Sequence, residues 1–213
     1  MKEECGEAEW LETSDPERML DMLYNMRGRR DPLLVRKLRL FGCASCRGLW
    51  WNRLDDVRSR TAIEVAERYA LYSASDQELR AACEASWEAC SGLPMEDPAV
   101  AAFATATEAA TVYVATRTRD RERQLVWLRD IFGNPFRVVR IASHWLSRDV
   151  VVLIQALCEE RTFAGMPLLA ERLEKASCDN EAILKHCRET SEHVLGCWVV
   201  DQLLASWRGM IAW

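Results

Sequence analysis

Apolar residues recur three and four positions apart along most of the chain, the spacing of an α-helix with one buried face. One such stripe contains Leu34, Leu38, Phe41 and Leu49. The one extended apolar run, Val138 to Ile141, is too short and isolated to predict a sheet. The pattern therefore predicts an all-α fold, a helical bundle or short helical array of about eight to ten helices.

Polar residues at the helix starts support this prediction. Ser14 to Glu17 combines a capping residue with a proline in the first turn, and Ser75 to Glu78 has the spacing of a capping box. Asp97-Pro98 begins an Ala/Thr-rich stretch that predicts one long helix over 98–118. Its small side chains and its glutamate favour a buried bundle helix over a membrane span.

The stretch from Leu125 to Leu153 contains the most specific local signals. Gly133-Asn134-Pro135 ends an amphipathic helix, because glycine and asparagine tolerate the left-handed conformation and proline cannot continue the helix. Ser147 then provides an N-cap for the next helix. We expect an N-terminal helical region over 1–120 and a C-terminal helical region over 121–213, together forming one continuous globular unit.

Several segments resemble one protein family. They are AEWLETSDPERMLDML, RKLRLFGCASCRGLW, RSRTAIEVAERYA, LRDIFGNPFR, SHWLSRDVV, LAERLEKASCDNEAILKHCRE and HVLGCWVVDQLL. The chain is similar in these segments to a large set of uncharacterised paralogues expanded in planctomycete bacteria. The resemblance covers most of the chain outside residues 84–120, and it implies no particular activity. The chain departs from the family pattern at Ser45, where relatives often have a further cysteine, and in its extended Trp-containing C-terminus.

Net charge and the lengths of apolar runs indicate which kinds of partner to expect. The net charge of −5 gives no general attraction for nucleic acid, so no nucleic-acid partner is expected. No apolar run approaches membrane-spanning length, and the start MKEECGEAEW lacks the apolar core of a signal peptide. We therefore expect a cytoplasmic protein without a membrane partner. In that compartment the nine cysteines are expected to be thiols or metal ligands rather than disulfides.

Four residues have spacings that suit zinc. Cys43 and Cys46 are three apart in a predicted helix, and His193 and Cys197 are four apart. If two helices bring these pairs together, they form a Cys3His set for tetrahedral zinc, with His186 and Cys187 in reserve. The alternative, which we weigh more heavily, is that the cysteines are small buried core residues.

The sequence assigns no catalytic residue. It has no Gly-rich phosphate loop, no HExxH and no GxSxG. An activated thiol is conceivable at Cys46, next to Arg47, or at Cys187, beside His186, although adjacent residues on a helix point in different directions. His144 is expected to pack against neighbours. The basic break at 27–32 is expected to be a solvated loop rather than a phosphate site.

These observations favour a non-enzymatic protein-interaction or scaffold module with an unknown protein partner. A structural or regulatory zinc-binding protein is the alternative, and a thiol-dependent enzyme is third. Trp207 and Trp213 could dock on a partner, on a second copy or on the chain's own fold, and we prefer the last. The sequence leaves the oligomeric state open.

Overall fold

The computed structural model describes residues 2–94, 97–107 and 120–211. Within these residues it contains eleven α-helices and no β-strand, which confirms the all-α prediction. The helices are α1 (Lys2–Glu12), α2 (Pro16–Arg27), α3 (Pro32–Ser45), α4 (Val57–Ala70), α5 (Asp76–Cys90), α6 (Pro98–Ala106), α7 (Arg121–Phe132), α8 (Arg148–Glu159), α9 (Met166–Lys175), α10 (Glu181–Arg188) and α11 (Trp198–Ile211).

The helix starts follow the polar signals in the sequence. Ser75 and Glu78 form the predicted capping box of α5, in which each side chain hydrogen-bonds to the other residue's backbone N–H. The side chain of Asp97 caps α6, and that of Ser147 caps α8. At α2 the capping side chain is Asp15 rather than its neighbour Ser14.

The Ala/Thr-rich helix is shorter than predicted. It ends at Ala106 because Thr107 has an extended backbone, and the Thr107 hydroxyl donates to the carbonyl oxygens of Phe103 and Ala104 at 3.2 and 3.1 Å. Threonine hydroxyls often hydrogen-bond to backbone carbonyl groups of the preceding turn in this way. The rest of the predicted helix, at 108–118, lies outside the described residues.

The chain divides into two compact units, 1–128 and 129–213, with the boundary inside α7. In the first unit α3, α4, α5 and α6 pack together. Their shared core contains many small side chains, among them Cys43, Cys46 and Ala102, beside Leu54 and Ile63. Small residues let the helix backbones approach closely.

An aromatic ring fixes another part of the first unit. The indole of Trp127 is fully buried, and a Cβ added to Gly48 would lie 2.5 Å from its ring. Arg123 stacks over the same ring at 4.9 Å and donates to the Gly48 carbonyl oxygen at 2.9 Å. The missing side chain at Gly48 is therefore what allows Trp127 to pack there.

The second unit has its own core, formed by α8, α9, α10 and α11. It includes the fully buried residues Ile154, Leu169 and Leu203. Trp207 is partly buried against this core, in agreement with the expected docking of that residue on its own fold, whereas Trp213 lies outside the described residues. No helix in the described parts of the chain combines the length and apolar character needed to cross a bilayer.

Candidate metal centre

Four metal-ligating side chains meet in the second unit. They are Asp130 in the last turn of α7, His186 in α10, His193 in the loop before α11, and Cys197 directly before α11. One ligand atom from each lies within 4.8 Å of all the others, and this is the one such group among the described residues. We call these four residues the Asp-His-His-Cys cluster.

The loop that carries two of these residues differs from the prediction. We expected His193 and Cys197 to share one face of a helix, but α11 begins only at Trp198. Gly196 has a φ of +94°, which is incompatible with an α-helix, and the Cys197 N–H donates to the Val194 carbonyl oxygen at 3.0 Å in a tight turn. The turn, rather than a helical repeat, brings the two side chains together.

Cys197 sits at the N-terminal end of α11. Its carbonyl oxygen accepts a hydrogen bond from the Asp201 N–H at 2.8 Å, the first bond of the helix. The N–H groups of Val199 and Val200 hydrogen-bond to its sulfur, as they would to a capping oxygen. Burial raises the pKa of the Cys197 thiol, and these two N–H groups lower it by a smaller amount.

Asp130 is the centre of the hydrogen-bond network. Its Oδ1 accepts from Nδ1 of His193 at 2.6 Å and lies 3.1 Å from Nε2 of His186. Its Oδ2 accepts from the Val194 N–H at 2.9 Å. The same Nε2 of His186 is 3.2 Å from Sγ of Cys197. The carboxylate therefore links α7 to α10 and to the loop before α11.

The protonation states follow from burial and from these contacts. Burial would raise the pKa of Asp130, but the hydrogen bonds from His186 and His193 outweigh it and hold that pKa below its ordinary value. Burial would lower the pKa of His193, yet Asp130 raises it overall. Burial raises the pKa of Cys197 well above its ordinary value, and the Asp130 charge adds to the increase. Without a metal, the cluster holds a carboxylate and a neutral thiol.

Aromatic packing holds the imidazole rings in place. The rings of His186 and His193 meet edge to face with centroids 4.8 Å apart, and the His186 ring lies 5.3 Å from that of Trp198. Trp198 in turn packs against the backbone of Gly133, where an added Cβ would lie 2.8 Å from the indole Cγ. The Gly133 corner predicted from the sequence thus makes room for the indole beside His186.

The structure places the predicted metal residues in two different units. His193, Cys197 and the reserve residue His186 belong to the Asp-His-His-Cys cluster. Cys43 and Cys46 belong to the first unit, where their thiols lie 3.9 Å from the Ile63 carbonyl oxygen and 3.4 Å from the Thr105 hydroxyl. Burial raises the pKa of Cys46 to about 12. These contacts are those of cysteines packed in a helical core.

Cys187, the other reserve residue, is buried in the core of the second unit and is not one of the four ligand residues. Burial raises its pKa to about 12, so it is a thiol at neutral pH. His144 is exposed in a short 3₁₀ turn, with its ring centroid 6.0 Å from that of Trp145. Neither residue has the surroundings of a nucleophile or a general base.

Sequence reasoning missed Asp130. The residue lies in LRDIF, where an acidic side chain on a helix is most simply read as surface charge. It is in fact 3% exposed, and its neighbour Ile131 is fully buried. A charged residue next to core positions of an amphipathic helix was the available signal, but its partners are 56 to 67 positions further along the chain.

The cluster does not have the geometry of a nucleophilic Cys-His-Asp triad. In such a triad the histidine uses one ring nitrogen for the nucleophile and the other for the carboxylate. Here Cys197 and Asp130 both approach Nε2 of His186. The sulfur is also fully buried, so no substrate could reach it in this conformation. Several donors converging on one point is instead the arrangement of ligands around an ion.

No protein-family model, curated protein or solved structure matches this chain.

Proposed function

We propose that the protein binds one zinc ion through Asp130, His186, His193 and Cys197, and that the ion has a structural or regulatory role. The observation that carries this proposal is the convergence of four potential ligand atoms within 4.8 Å of one another in a buried place. Two nitrogens, one sulfur and one carboxylate oxygen form a donor set that suits zinc.

Charge balance supports the proposal. With two neutral imidazoles, a carboxylate and a thiolate, the four ligands have a total charge of −2, which a divalent cation neutralises. Burial of ionised groups is costly unless they are paired, and a neutral complex avoids that cost. The ion would also lower the pKa of the Cys197 thiol, which otherwise opposes ionisation in this buried place.

The spacing of the donors requires little rearrangement. Bond lengths of about 2.0–2.3 Å place neighbouring ligand atoms of a tetrahedral zinc site about 3.3–3.7 Å apart. Nε2 of His186 is already 3.1 Å from the Asp130 oxygen and 3.2 Å from the Cys197 sulfur. Small side-chain rotations that lengthen the 2.6 Å contact between His193 and Asp130 would open the centre.

The surroundings of the ligands also fit a metal centre. Histidine ligands commonly direct their second nitrogen at a carboxylate or a carbonyl group. Nδ1 of His186 is 3.8 Å from a carboxylate oxygen of Glu189. Nε2 of His193 is buried and makes no hydrogen bond among the described residues, while the Glu189 carbonyl group lies close enough to favour a proton on that ring. Glu189 therefore lies near both imidazoles, with its carboxylate beside His186 and its carbonyl group beside His193.

Four protein ligands complete a tetrahedral shell and leave no open position for a substrate, which is the pattern of structural zinc sites. The ion would join the end of α7, the helix α10 and the start of α11. Because such a site does not exist in the unfolded chain, its binding energy contributes to folding. This favours the zinc role over the thiol-dependent enzyme as an interpretation of the same residues.

We also propose that the chain belongs to the planctomycete family and that the protein lies in the cytoplasm. All four proposed ligands lie inside segments that resemble the planctomycete family: LRDIFGNPFR contains Asp130, LAERLEKASCDNEAILKHCRE contains His186, and HVLGCWVVDQLL contains His193 and Cys197. We propose that relatives sharing these segments share the centre. The eight cysteines whose side chains the structure describes are all free thiols, which supports a reducing compartment such as the cytoplasm.

Metal analysis of the protein purified without an affinity tag tests the zinc proposal. We expect about one zinc per chain, as for a closed four-ligand site. Cys197→Ser should lose most of it, and Cys158→Ser, which changes a half-buried cysteine outside the cluster, should keep it. A folded wild-type protein that neither contains zinc nor takes it up after reconstitution would contradict the proposal.

A further inference from the structure

The first unit has a groove of about 750 Å³ lined by basic and aromatic side chains. The α2–α3 turn contributes Arg29 and Arg30, and α3 contributes Arg36 and Arg39. Tyr69 of α4 and Tyr72 of the following turn also line it. We call this surface the arginine groove.

The groove is strongly positive although the whole chain has a net charge of −5. Its lining has four arginines and one carboxylate, that of Asp76, which accepts a hydrogen bond from the Tyr69 hydroxyl at 2.8 Å. Arg29 and Arg30 are exposed and have no carboxylate partner in the described parts of the chain. A local surplus of arginine on an acidic protein favours a ligand with negative charge.

The aromatic side chains hold two of the arginines in place. The guanidinium of Arg39 lies 4.9 Å from the centroid of the Tyr69 ring, and that of Arg36 lies 5.3 Å from the Tyr72 ring. Nε of Arg36 also donates to the Ala70 carbonyl oxygen at 2.6 Å, at the end of α4. Arg39 is only 6% exposed and contributes its charge to the groove, whereas the half-buried Arg36 loses less side-chain entropy on binding a carboxylate or phosphate because it is already ordered.

Tyr72 follows the C-terminal end of α4, and 75% of the residue is exposed. Its φ of +62° is the left-handed conformation common at helix ends, which Arg161 and Ser177 also adopt. An exposed tyrosine beside arginines is the composition that protein interfaces favour.

We propose that the arginine groove binds a short acidic segment of a partner protein, through ion pairs from Arg29, Arg30 and Arg36 to carboxylate or phosphate groups of that segment. The groove is partly open and is also lined by Pro32, Val35 and Ala74, so an extended peptide can lie in it with apolar contacts as well. The arginine groove would be the surface that serves the protein-interaction role expected from the sequence. The peptide-binding proposal does not depend on the zinc proposal.

Fluorescence anisotropy with the full-length protein tests this inference. The probes are labelled peptides of about eight residues that carry glutamates, phosphoserines or, as a neutral reference, glutamines at the same positions. The glutamate or the phosphoserine peptide should bind saturably, more weakly as salt is added, while the glutamine peptide should not bind. The tighter of the two acidic peptides identifies the charged group that the partner presents.

Variants separate the groove from general electrostatics. Arg29→Gln with Arg30→Gln should weaken acidic-peptide binding about five- to tenfold, the effect of two exposed ion pairs. Arg53→Gln with Arg140→Gln changes the net charge equally at exposed positions outside the groove and should leave binding within about twofold. Tyr72→Gly should weaken binding without lowering stability, because glycine accepts the positive φ.

Three results would overturn the inference. The first is no saturable binding of either acidic peptide at concentrations up to about 1 mM. The second is equal weakening by the groove pair and by the control pair of arginine substitutions. The third is tighter binding of a single-stranded oligonucleotide of matched charge than of both peptides, which would make the groove a nucleic-acid surface.

Discussion

At the scale of single residues, two glycines show how a missing side chain determines local packing. Gly133 and Gly92 both have positive φ, +62° and +82°, so each is placed where glycine is favoured. They differ in what surrounds them. A Cβ at Gly133 would lie 2.8 Å from Trp198, whereas a Cβ at Gly92 would meet nothing within 4 Å. The pair therefore separates backbone strain from steric overlap.

We expect Gly133→Ala to destabilise the protein more than Gly92→Ala. Both substitutions cost about 1 kcal/mol of backbone strain, and Gly133→Ala adds about 1–3 kcal/mol because the indole beside His186 must move. Urea unfolding measures both free energies, and zinc content should fall only for Gly133→Ala. Equal losses of stability in the two variants would show that the Trp198 indole moves aside without lowering the free energy of unfolding.

Zinc affinity should depend on pH with a definite sign. Burial raises the pKa of Cys197, and Asp130 raises that of His193, so both groups hold protons that zinc must displace near neutral pH. Because binding releases about one to two protons, the apparent affinity should rise about ten- to a hundredfold per pH unit between about pH 6 and 7.5.

Competition with a chromophoric chelator, corrected for the chelator's own protonation, measures this slope. Cys197→Ala is the matched control, since that position then has no proton for zinc to displace, although the variant binds zinc more weakly. For this variant, the slope of the logarithm of zinc affinity against pH should be smaller by about one, because one proton fewer is released. A pH-independent affinity for the wild-type protein would mean that neither group binds the ion.

At the scale of the elements, the sequence predicted helix starts well because the signals are local. Ser75 and Glu78, or Asp97 and Pro98, act within one turn, and their chemistry does not depend on the rest of the fold. The loop before α11 was predicted wrongly as helix, since the left-handed conformation of Gly196 depends on contacts that the local sequence does not specify. The metal centre also depends on long-range contacts, so local sequence signals could not predict it in full.

The sequence identified two of the four proposed ligands, His193 and Cys197, and a third in reserve, His186. Zinc ligands were sought in helical pairs, and that expectation favoured Cys43 and Cys46 over an aspartate. Asp130 could not be found in this way, because only the folding of the second unit brings α7 to the loop before α11. Long-range pairing of this kind leaves no spacing pattern in a single sequence.

At the end of α3, Cys43 and Cys46 should act as packing residues only. We expect Cys43→Ala with Cys46→Ala to cost about 1 kcal/mol per buried sulfur and to leave the zinc content unchanged. Chemical unfolding and metal analysis of the same preparation test both parts. Loss of zinc from the folded double variant would return these two cysteines to the ligand set.

At the scale of the whole molecule, the division into two units determines where metal removal should act. All four proposed ligands lie within 129–213, and they join α7, α10 and α11 there. A bound ion stabilises only the structure that forms its site, by about 2.7 kcal/mol when its free concentration is a hundred times Kd. Removing it should therefore loosen the second unit and leave the helices of the first largely as they are.

Hydrogen exchange with and without a chelator tests this expectation. Amides of α10, the loop before α11 and the first turns of α11 should lose protection about ten- to a hundredfold after zinc removal, since their opening no longer costs the binding energy. Amides of α4 and α5 in the first unit should change less than about threefold. Cys197→Ser should show the same loss of protection without chelator, whereas Cys158→Ser should respond like the wild type. Equal loss across both units would mean that the ion stabilises the whole chain as one cooperative structure, and no change anywhere would rule out a structural role for it.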